Sequence, residues 1–401
     1  MCSPTALAKL AHVTDQRRYG RSHSKASAAG APALAEAAGS QKFRRRYASC
    51  YMRQGGYAPL RAQPPSAHPS TAFCMPYLNS LLILASGAFS LPSDLQSALH
   101  PKGEHAGHIA EISWLLFIGA AFIFVLVLAL LVLALYGPAR WRALLGRRAL
   151  VVGGGLVFPI VVLSALLWYG LGKAAVLMRA ETPAAVHIEV IGELWWWRVR
   201  YLDADGRPSF ETANEIRIPA GVPVELWLKS DNVIHSFWAP NLAGKLDMIP
   251  GRVNRLRVRA AAPGIFRGQC AEYCGAQHAK MMLHVQALSP DDFDAWQALQ
   301  RLPAREPADA RLQAGKRRFM QACARCHAVR GSEARGSAGP DLTHAGSRPS
   351  LGANVLPNNV GTLAGWIAGN QHIKPGNLMP SFGELSSEDL RAISLYVASL
   401  E

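Results

Sequence analysis

Two long apolar runs constrain the fold of this chain more than any other feature. Residues 112–136 form a run of 25 residues without a charge, and residues 149–171 form a second uncharged run. About 20 apolar residues suffice for a helix to cross the hydrocarbon core of a bilayer, and neither run has the polar face of a helix that packs on a soluble core. We therefore predict a two-helix transmembrane hairpin over residues 112–171.

The loop between the two runs predicts the orientation of the hairpin. It contains four arginines and no acidic residue: Arg140, Arg142, Arg147 and Arg148. Positively charged loops stay on the cytoplasmic side, so the chain after residue 171 is expected on the outer face of a bacterial inner (plasma) membrane. In the second run, residues 153–155 are all glycine, which predicts close helix packing, and Pro159 predicts a kink.

The basic character of the chain resides mainly in its first 74 residues. They contain eleven Lys and Arg residues and only two acidic residues, Asp15 and Glu36. Most of the formal net charge of +15 of the whole chain therefore lies here. They show no periodic apolar pattern, so we interpret residues 1–74 as a disordered extension or as a start codon assigned too early. Neither cysteine motif lies in a dense basic run, and nucleic acid is therefore not an expected partner.

A short apolar run follows this extension. Residues 75–90 resemble a signal peptide, because their apolar segment at 78–89 is too short to span a bilayer and ends in small residues, with cleavage expected near residues 86–90. Residues 91–111 are polar and form a short outer segment before the first span.

The pattern changes to short β-type runs over residues 181–297. The clearest are 186–191, 195–201, 223–228, 253–259 and 282–288. About a hundred residues of this kind predict a β-sandwich or small barrel. Because strand side chains alternate, Trp195 and Trp197 are expected on one face and Trp196 on the other.

The last part of the chain is predicted to be helical. Residues 298–308 form a polar linker with two prolines, and residues 309–401 form a helical domain. Ser386 and Asp389 make a capping box for the last helix, whose apolar positions line one face.

A cluster of soft ligands lies late in the β-region. Cys270 and Cys274 are four residues apart, His278 and Met281 follow, and His235 lies upstream. Thiolates with imidazoles and a thioether select copper, and two thiolates that bridge two copper ions make a pair suited to fast electron transfer. A blue-copper site needs only one cysteine. Zinc and a disulfide remain as alternatives for the Cys-x3-Cys spacing.

The second cysteine motif, Cys323-x-x-Cys326-His327, is the attachment signature of a c-type haem. The two thiols add to the vinyl groups and the adjacent imidazole binds iron. For the opposite axial ligand, Met379 is the best candidate, because it precedes a proline in a loop before the last helix; His344 and His372 compete.

The copper cluster lies in a longer stretch that resembles subunit II of haem–copper cytochrome c oxidases. The matching segments are VIHSFWAPNLAGKLDMIPGR at 233–252, GQCAEYCGAQHAKM at 268–281, SALHP at 97–101 and WWW at 195–197. The likeness covers residues 96–288. Residues 339–344 also resemble the haem-edge loop of class I cytochromes c, so the chain is similar to a caa-type subunit II with a fused cytochrome c domain.

This resemblance implies a set of ligands and roles. It places a dinuclear CuA centre on the five side chains of the copper cluster and on the backbone carbonyl of Glu272, whose carboxylate would reach a Mg²⁺ at the boundary with subunit I. Trp195 takes the place of the exposed aromatic through which electrons enter. One departure is Asn232, where many relatives have Asp, with the acid here at Asp231; this puts the hydrogen bonding around the ligand histidine in doubt.

The resemblance also implies the fold and the function. We expect a multi-domain membrane protein with an all-β cupredoxin-like CuA domain and an all-α class I cytochrome c domain after the helix hairpin. It would be the electron-entry subunit of a cytochrome-c oxidase (a translocase) and pass electrons from haem c to CuA and on to subunit I, where oxygen is reduced to water and protons are pumped. Partners would be subunits I and III, with cytochrome c or an upstream respiratory complex as donor.

Other functions remain as alternatives at this point. A CuA-containing nitric oxide reductase subunit would carry the same ligands and differ in its catalytic partner. A quinol oxidase subunit is disfavoured because every copper side-chain ligand is present. A membrane-anchored copper carrier or a structural protein would have no covalent haem.

Overall fold

The computed structural model describes residues 96–178 and 183–401. The predicted extension at 1–74 and signal peptide at 75–90 lie outside the described residues. The described chain has two long apolar helical segments, a β-sandwich and a helical domain. This confirms the fold class predicted from the sequence.

The apolar runs are both helical. The first helix, α1, is Glu104–Tyr136, and the return pass consists of α2 (Ala139–Leu145), α3 (Arg148–Val152), a π-helical segment (Gly153–Val157) and α4 (Phe158–Met178). By length and composition, Glu104–Tyr136 and Arg148–Leu177 are both able to cross a membrane.

The irregularity expected at Pro159 lies one turn earlier, in the π-helical segment Gly153–Val157. Proline has no N–H to donate and its ring crowds the preceding turn, and a π-bulge is one way a helix absorbs this. The expected close packing of the glycines is not seen among the described residues, because a Cβ added at Gly153, Gly154 or Gly155 would meet nothing within 4 Å.

The first helix begins eight residues before the predicted span, and these extra turns dock on the β-domain. Gly103 forms a β-bridge with Ala260, and Ala106 and Ala110 are buried. A Cβ on Gly103 would lie 2.4 Å from the carbonyl oxygen of Leu242, so only glycine permits this approach. The helix is therefore fixed to the domain that it carries.

The β-domain is a sandwich of two five-stranded sheets, ordered β3-β2-β1-β5-β8 and β4-β10-β9-β6-β7. The strands are β1 (Val186–Gly192), β2 (Trp197–Leu202), β3 (Pro208–Ala213), β4 (Glu215–Pro219), β5 (Val224–Ser230), β6 (His235–Trp238), β7 (Leu246–Met248), β8 (Asn254–Val258), β9 (Gly264–Cys270) and β10 (Met282–Leu288). All five predicted strands are present, and the inner faces of the two sheets enclose one apolar core.

The tryptophan trio is only partly in a strand. Glu193 and Trp196 exchange backbone hydrogen bonds in a turn, at 2.9 and 3.3 Å, so β2 starts at Trp197 rather than at Trp195. Trp195 and Trp197 are nevertheless buried in the core, and Trp196 lies outside it under the Arg198 guanidinium, 4.7 Å from the ring centroid. The predicted division of faces is found, but the turn rather than strand alternation produces it.

One helix closes the sandwich. Helix α5 (Pro290–Arg301) begins at Ser289, whose hydroxyl accepts from the Asp292 N–H. Its Trp296 ring contacts Tyr201 at a centroid distance of 5.2 Å. The helix thus continues four residues into the range predicted as linker, because its inner face is held by aromatic contacts.

The C-terminal domain packs three helices, α6 (Ala310–Ala322), α7 (Val360–Ile373) and α8 (Ser387–Ala398), with a two-residue ladder between β11 (Ser350–Leu351) and β12 (Leu356–Pro357). Phe319 and Tyr396 meet edge to face at 5.4 Å. Of the predicted capping box of the last helix, the bond from the Asp389 N–H to the Ser386 side chain is present.

Candidate metal centres

The copper cluster is assembled by the pairing of two strands. His235 is the first residue of β6 and Cys270 is the last residue of β9, and these strands pair through Phe237 and Cys270. Cys274, His278 and Met281 lie in the loop from β9 to β10, so the start of β6, the end of β9 and the loop that follows it supply all the predicted side-chain ligands.

The ligand atoms converge to within 4 Å of their neighbours. The two sulfurs of Cys270 and Cys274 are 3.8 Å apart, the Nδ1 of His235 is 3.8 Å from the first and the Nδ1 of His278 is 3.6 Å from the second. The Met281 thioether is 3.8 Å from Cys274 Sγ. The Glu272 carbonyl oxygen, the remaining predicted ligand, is 3.1 Å from Cys270 Sγ.

The donor set distinguishes among the metals considered from the sequence. The sulfur separation of 3.8 Å is that of two free thiols and not of a disulfide bond, whose length is about 2.05 Å. A structural zinc takes four ligands, whereas two thiolates, two imidazoles, a thioether and a carbonyl converge here. Six donors, of which two are cysteine sulfurs, fit a copper pair.

Asn232 orients the upstream ligand histidine. Its side-chain oxygen lies 2.9 Å from Nε2 of His235, which must donate, so the assigned tautomer leaves Nδ1 free to face the sulfurs. The hydrogen bond that the Asn232 departure put in doubt is therefore made, by an amide oxygen in place of a carboxylate. His235 is fully buried, as a ligand of fixed geometry should be.

The two cysteines form a coupled pair. A hydrogen bond from the Cys274 thiol lowers the pKa of Cys270, and the same bond raises the pKa of Cys274. Burial opposes the lowering at Cys270 and adds to the rise at Cys274. A metal that binds both thiolates must displace any proton that the sulfurs hold.

Trp195 is not the exposed aromatic that the resemblance implies. Only 9% of its surface is accessible, because residues 374–376 of the C-terminal domain cover it. Its indole Nε1 donates to the Cys274 carbonyl at 2.8 Å. Trp195 thus joins a ligand loop directly to the domain interface. The side chain of Glu272, to which the resemblance also gives a role, is exposed.

The second site begins where α6 ends. Cys323 is the C-cap of that helix, and Cys326 and His327 follow in the next turn. Nδ1 of His327 lies 2.8 Å from the Pro340 carbonyl oxygen, so it donates and leaves Nε2 as the free nitrogen. Burial lowers the pKa of His327, so the ring is neutral at neutral pH, as an iron ligand must be.

The surroundings of His327 fit a ligand imidazole. A Cβ on Gly339 would lie 2.6 Å from the His327 ring, so the glycine allows the backbone to pass against it. Burial raises the pKa of Cys323 to about 11, which keeps this thiol protonated until it reacts. Cys323 and the predicted axial ligand Met379 pack against the same apolar cluster, as the two sides of a haem pocket would.

The Met379 loop is rigidly held. The Met379 N–H donates to the Asn377 side chain at 2.9 Å, and its carbonyl accepts from Gln371 at 2.7 Å. His344, a competing ligand, uses Nε2 to hydrogen bond the Leu302 carbonyl at 3.1 Å, and His372 is exposed. The loop geometry favours Met379 over both histidines.

Three functional contacts were not predicted from the sequence. A Cβ added at Gly192 would lie 2.6 Å from the His235 ring. A glycine in a strand of ordinary composition gives no sequence signal of such a contact. Gln277 and Lys374 bridge the two domains, and single polar residues of this kind have no motif. The glycine at 339 lay in the haem-edge resemblance, which was the available signal.

Comparison with known proteins separates the same two domains. Residues 204–288 match the family described as cytochrome C oxidase subunit II, periplasmic domain, and residues 312–401 match the family described as cytochrome c. The CuA-type domain therefore implies copper and the cytochrome c domain implies haem c.

Individual relatives show the same similarity. Cytochrome c oxidase subunit 2 of Alkalihalophilus pseudofirmus is 37% identical over 217 residues, which cover 54% of this chain and 61% of that protein. The protein of the same name from Metridium senile is 32% identical, with 55% of this chain and 96% of that protein covered. The crystal structure of the periplasmic domain of subunit II of cytochrome oxidase from Bradyrhizobium japonicum is 29% identical over 30% of this chain and 96% of its own, with a TM-score of 0.28.

Proposed function

The chain belongs to the cytochrome c oxidase subunit 2 family, and we propose that it is the electron-entry subunit of a caa-type oxidase. Electrons pass from the haem of the C-terminal domain to the copper pair of the β-domain and then to haem in subunit I. There, oxygen is reduced to water and protons are pumped. The aligned part of this chain corresponds to 61% of the length of its Alkalihalophilus pseudofirmus relative.

In this proposal, each residue of the two clusters has one role. When bound, the two groups supply one-electron centres that are reduced and reoxidised without chemistry on the protein. The thiolates of Cys270 and Cys274 would hold the copper ions, together with His235, His278, Met281 and the Glu272 carbonyl. In the C-terminal domain, Cys323 and Cys326 hold the haem covalently and His327 and Met379 bind its iron.

The domain contact supports this order of transfer more than any other observation. Gln277 and Lys280, each next to a copper ligand, donate to the carbonyls of Pro375 and Ile373 at 2.7 and 2.5 Å. The acceptors lie on the segment that leads to Met379. The ligand loops of the two centres therefore touch, and Trp195 lies between them as the entry residue.

The remaining roles concern the partners and the membrane. The two helices anchor the subunit in the bacterial inner membrane, where subunits I and III bind. Both redox domains lie outside, where cytochrome c or an upstream respiratory complex delivers electrons. The glycine face at 153–155 is open to such a subunit. In this proposal, the Glu272 carboxylate, which is exposed, would reach a Mg²⁺ at the boundary with subunit I.

Two substitutions in the assembled oxidase test the order of transfer. Cys274→Ser should abolish the near-infrared band of the copper pair, because the site loses one of its two thiolates, and should leave the haem attached and reducible. Met379→Leu should leave that band and lower the haem potential. If the Cys274→Ser oxidase passed electrons from its haem to oxygen at the normal rate, the series order would be wrong. Identification of the large subunit that co-purifies separates an oxygen-reducing from a nitric-oxide-reducing complex.

A further inference from the structure

Lys374 is a buried lysine at the contact between the two redox domains. Only 3% of its surface is accessible, although lysine is among the residues least often buried. It follows α7, three residues before Asn377, whose side chain fixes the Met379 loop. A lysine in this position must be satisfied by the groups around it, because an unpaired buried amine is costly.

The Lys374 amino group is satisfied by both domains at once. It donates to the carbonyl oxygens of Trp195 and Lys280 in the β-domain, both at 2.7 Å, and to that of Gly352 in its own domain at 3.0 Å. An ammonium has three N–H donors and no acceptor, so three carbonyls use its full capacity. Removal of the amino group would leave carbonyls of two domains without this donor.

The surroundings of the Lys374 amino group lower its pKa, so hydrogen bonds rather than an ion pair hold it in place. Burial and, to a smaller extent, the nearby Lys280 lower the pKa of Lys374 to about 7, against an opposing effect of Cys274. The amine is therefore kept in an environment that disfavours its charge. The three directed hydrogen bonds are the interactions that oppose this cost.

The contacts around Lys374 place the same segment on the electron-entry residue. The Gly376 backbone, at φ +80°, lies against the Trp195 ring, with an added Cβ 3.8 Å from the ring. The Met282 N–H donates to the Ala353 carbonyl at 3.3 Å beside it. The face of Trp195 that a separate cytochrome would use is covered by this chain's own haem domain.

We propose that Lys374 is a positioning residue that latches the haem domain onto Trp195, so that the copper centre accepts electrons from the attached haem and is closed to a separate cytochrome. This inference rests on the proposed function for its kinetic meaning. The contact that Lys374 makes between the two domains can be measured without turnover of the enzyme.

The test uses the purified oxidase with Lys374→Met and Lys374→Gln, and with Lys316→Met as the matched control. Lys316 lies in the same domain, and its amino group pairs with Glu306 rather than with the β-domain. Glutamine retains two of the three N–H donors, so it should fall between wild type and methionine. Haem and near-infrared spectra establish that both centres are intact in each variant.

The first measurement is the distance distribution between the oxidised copper pair and the ferric haem, from pulsed electron paramagnetic resonance. We expect a narrow distribution in the wild type and in Lys316→Met and a broad one in Lys374→Met, with a docking equilibrium weakened about tenfold or more by the loss of the hydrogen bonds to three carbonyls. Amide exchange at residues 194–196 should rise in parallel. An unchanged distribution in Lys374→Met overturns the latch and leaves the series order intact.

The second measurement is the rate of electron transfer from the haem to the copper pair after rapid reduction of the haem. It should fall in the order wild type, Lys374→Gln, Lys374→Met, with the potentials of both centres unchanged. A separate soluble cytochrome c should reduce the copper pair directly only in Lys374→Met. A broad distance distribution with an unchanged transfer rate would overturn the positioning role, whereas failure of the series order would already appear in Cys274→Ser.

Discussion

The two domains hold the histidines that we propose as ligands in different ways. In the β-domain, a side chain, Asn232, accepts from His235 at 2.9 Å. In the helical domain, a backbone carbonyl, that of Pro340, accepts from His327 at 2.8 Å. The copper ligand thus depends on the identity of a neighbouring residue, whereas the haem ligand depends only on the path of the chain. A substitution can remove the first contact without moving the backbone, and it cannot remove the second.

The two domains resemble each other in one respect, since a glycine lies against each histidine. Gly192 belongs to β1, which is paired on both sides, with β2 and β5. Gly339 lies in an irregular loop. A Cβ would come within 2.6 Å of the ring in both places. The strand has less freedom to give way than the loop has, so the copper side should be the less tolerant of the two.

The largest effect is expected from Gly192→Ala. The new methyl group would meet Cδ2, Cγ and Cβ of His235, and the ring cannot move because it is fully buried. The copper content of the purified oxidase should fall to a small fraction of the wild-type value and the near-infrared band should be lost. Metal analysis beside a haem stain measures both domains in one sample. A normal copper content would show that β1 is not fixed.

Gly339→Ala should have the next largest effect. Its methyl group would press on the His327 ring, and the loop can shift in part, so covalent attachment through Cys323 and Cys326 should persist while the iron–histidine bond weakens. The haem stain should stay positive, the visible spectrum should change and the copper band should not. A wild-type haem spectrum would place the loop farther from the ring than 2.6 Å.

A smaller effect should follow from Asn232→Ala. Loss of the partner of a ligand histidine typically weakens metal binding by about 10- to 100-fold, so copper should be lost to a chelator sooner than in wild type. Asn232→Asp, which keeps an acceptor at the same position, should restore retention. Pro340→Ala is the matched change beside His327, and it should leave the haem spectrum unaltered because the carbonyl remains. Equal loss in both domains would remove the distinction between side-chain and backbone support.

The smallest effect is expected at the surface ion pair between α6 and α8. Hydrogen bonding to Arg318 lowers the pKa of Asp389, so the pair stabilises the folded domain above the ordinary pKa of Asp, about 4, and this stabilisation is lost as the pH falls through the lowered value. Asp389→Asn should slightly lower the thermal midpoint at pH 7, and the difference from wild type should shrink in acid. A difference that grows in acid would contradict the pair.

The sequence located most residues of the two proposed centres because each motif depends on a short spacing. Cys270 to Met281 is one loop, and Cys323 to His327 is one turn, so local patterns contain nearly all their ligands. His235 and Met379 lie 35 residues before and 52 residues after their motifs, and a family resemblance and the order of elements located them. The fold class followed from the apolar runs and the β-type runs in the same way.

The sequence could not predict what depends on contact between domains. Trp195 was expected to be exposed, and it is buried because residues 374–376 of a later domain cover it. Lys374 has no local pattern that would mark it, because its three acceptors come from residues 195, 280 and 352. The start of β2 was predicted two residues too early for a different reason. The apolar residues at 195–197 do not reveal the turn that the backbone hydrogen bonds between Glu193 and Trp196 close.

The unbroken first helix also sets a rotational phase between the copper pair and the bilayer. Its 33 residues correspond to about 50 Å at 1.5 Å per residue, of which the bilayer core takes about 30 Å, so the upper turns rise from the membrane as a rigid post. Gly103 and Ala106 fasten the β-domain to the top of that post. One residue inserted below Ala110 would swing the copper pair by about 100° around the helix axis, which makes the length of this helix as much a part of the electron path as any ligand.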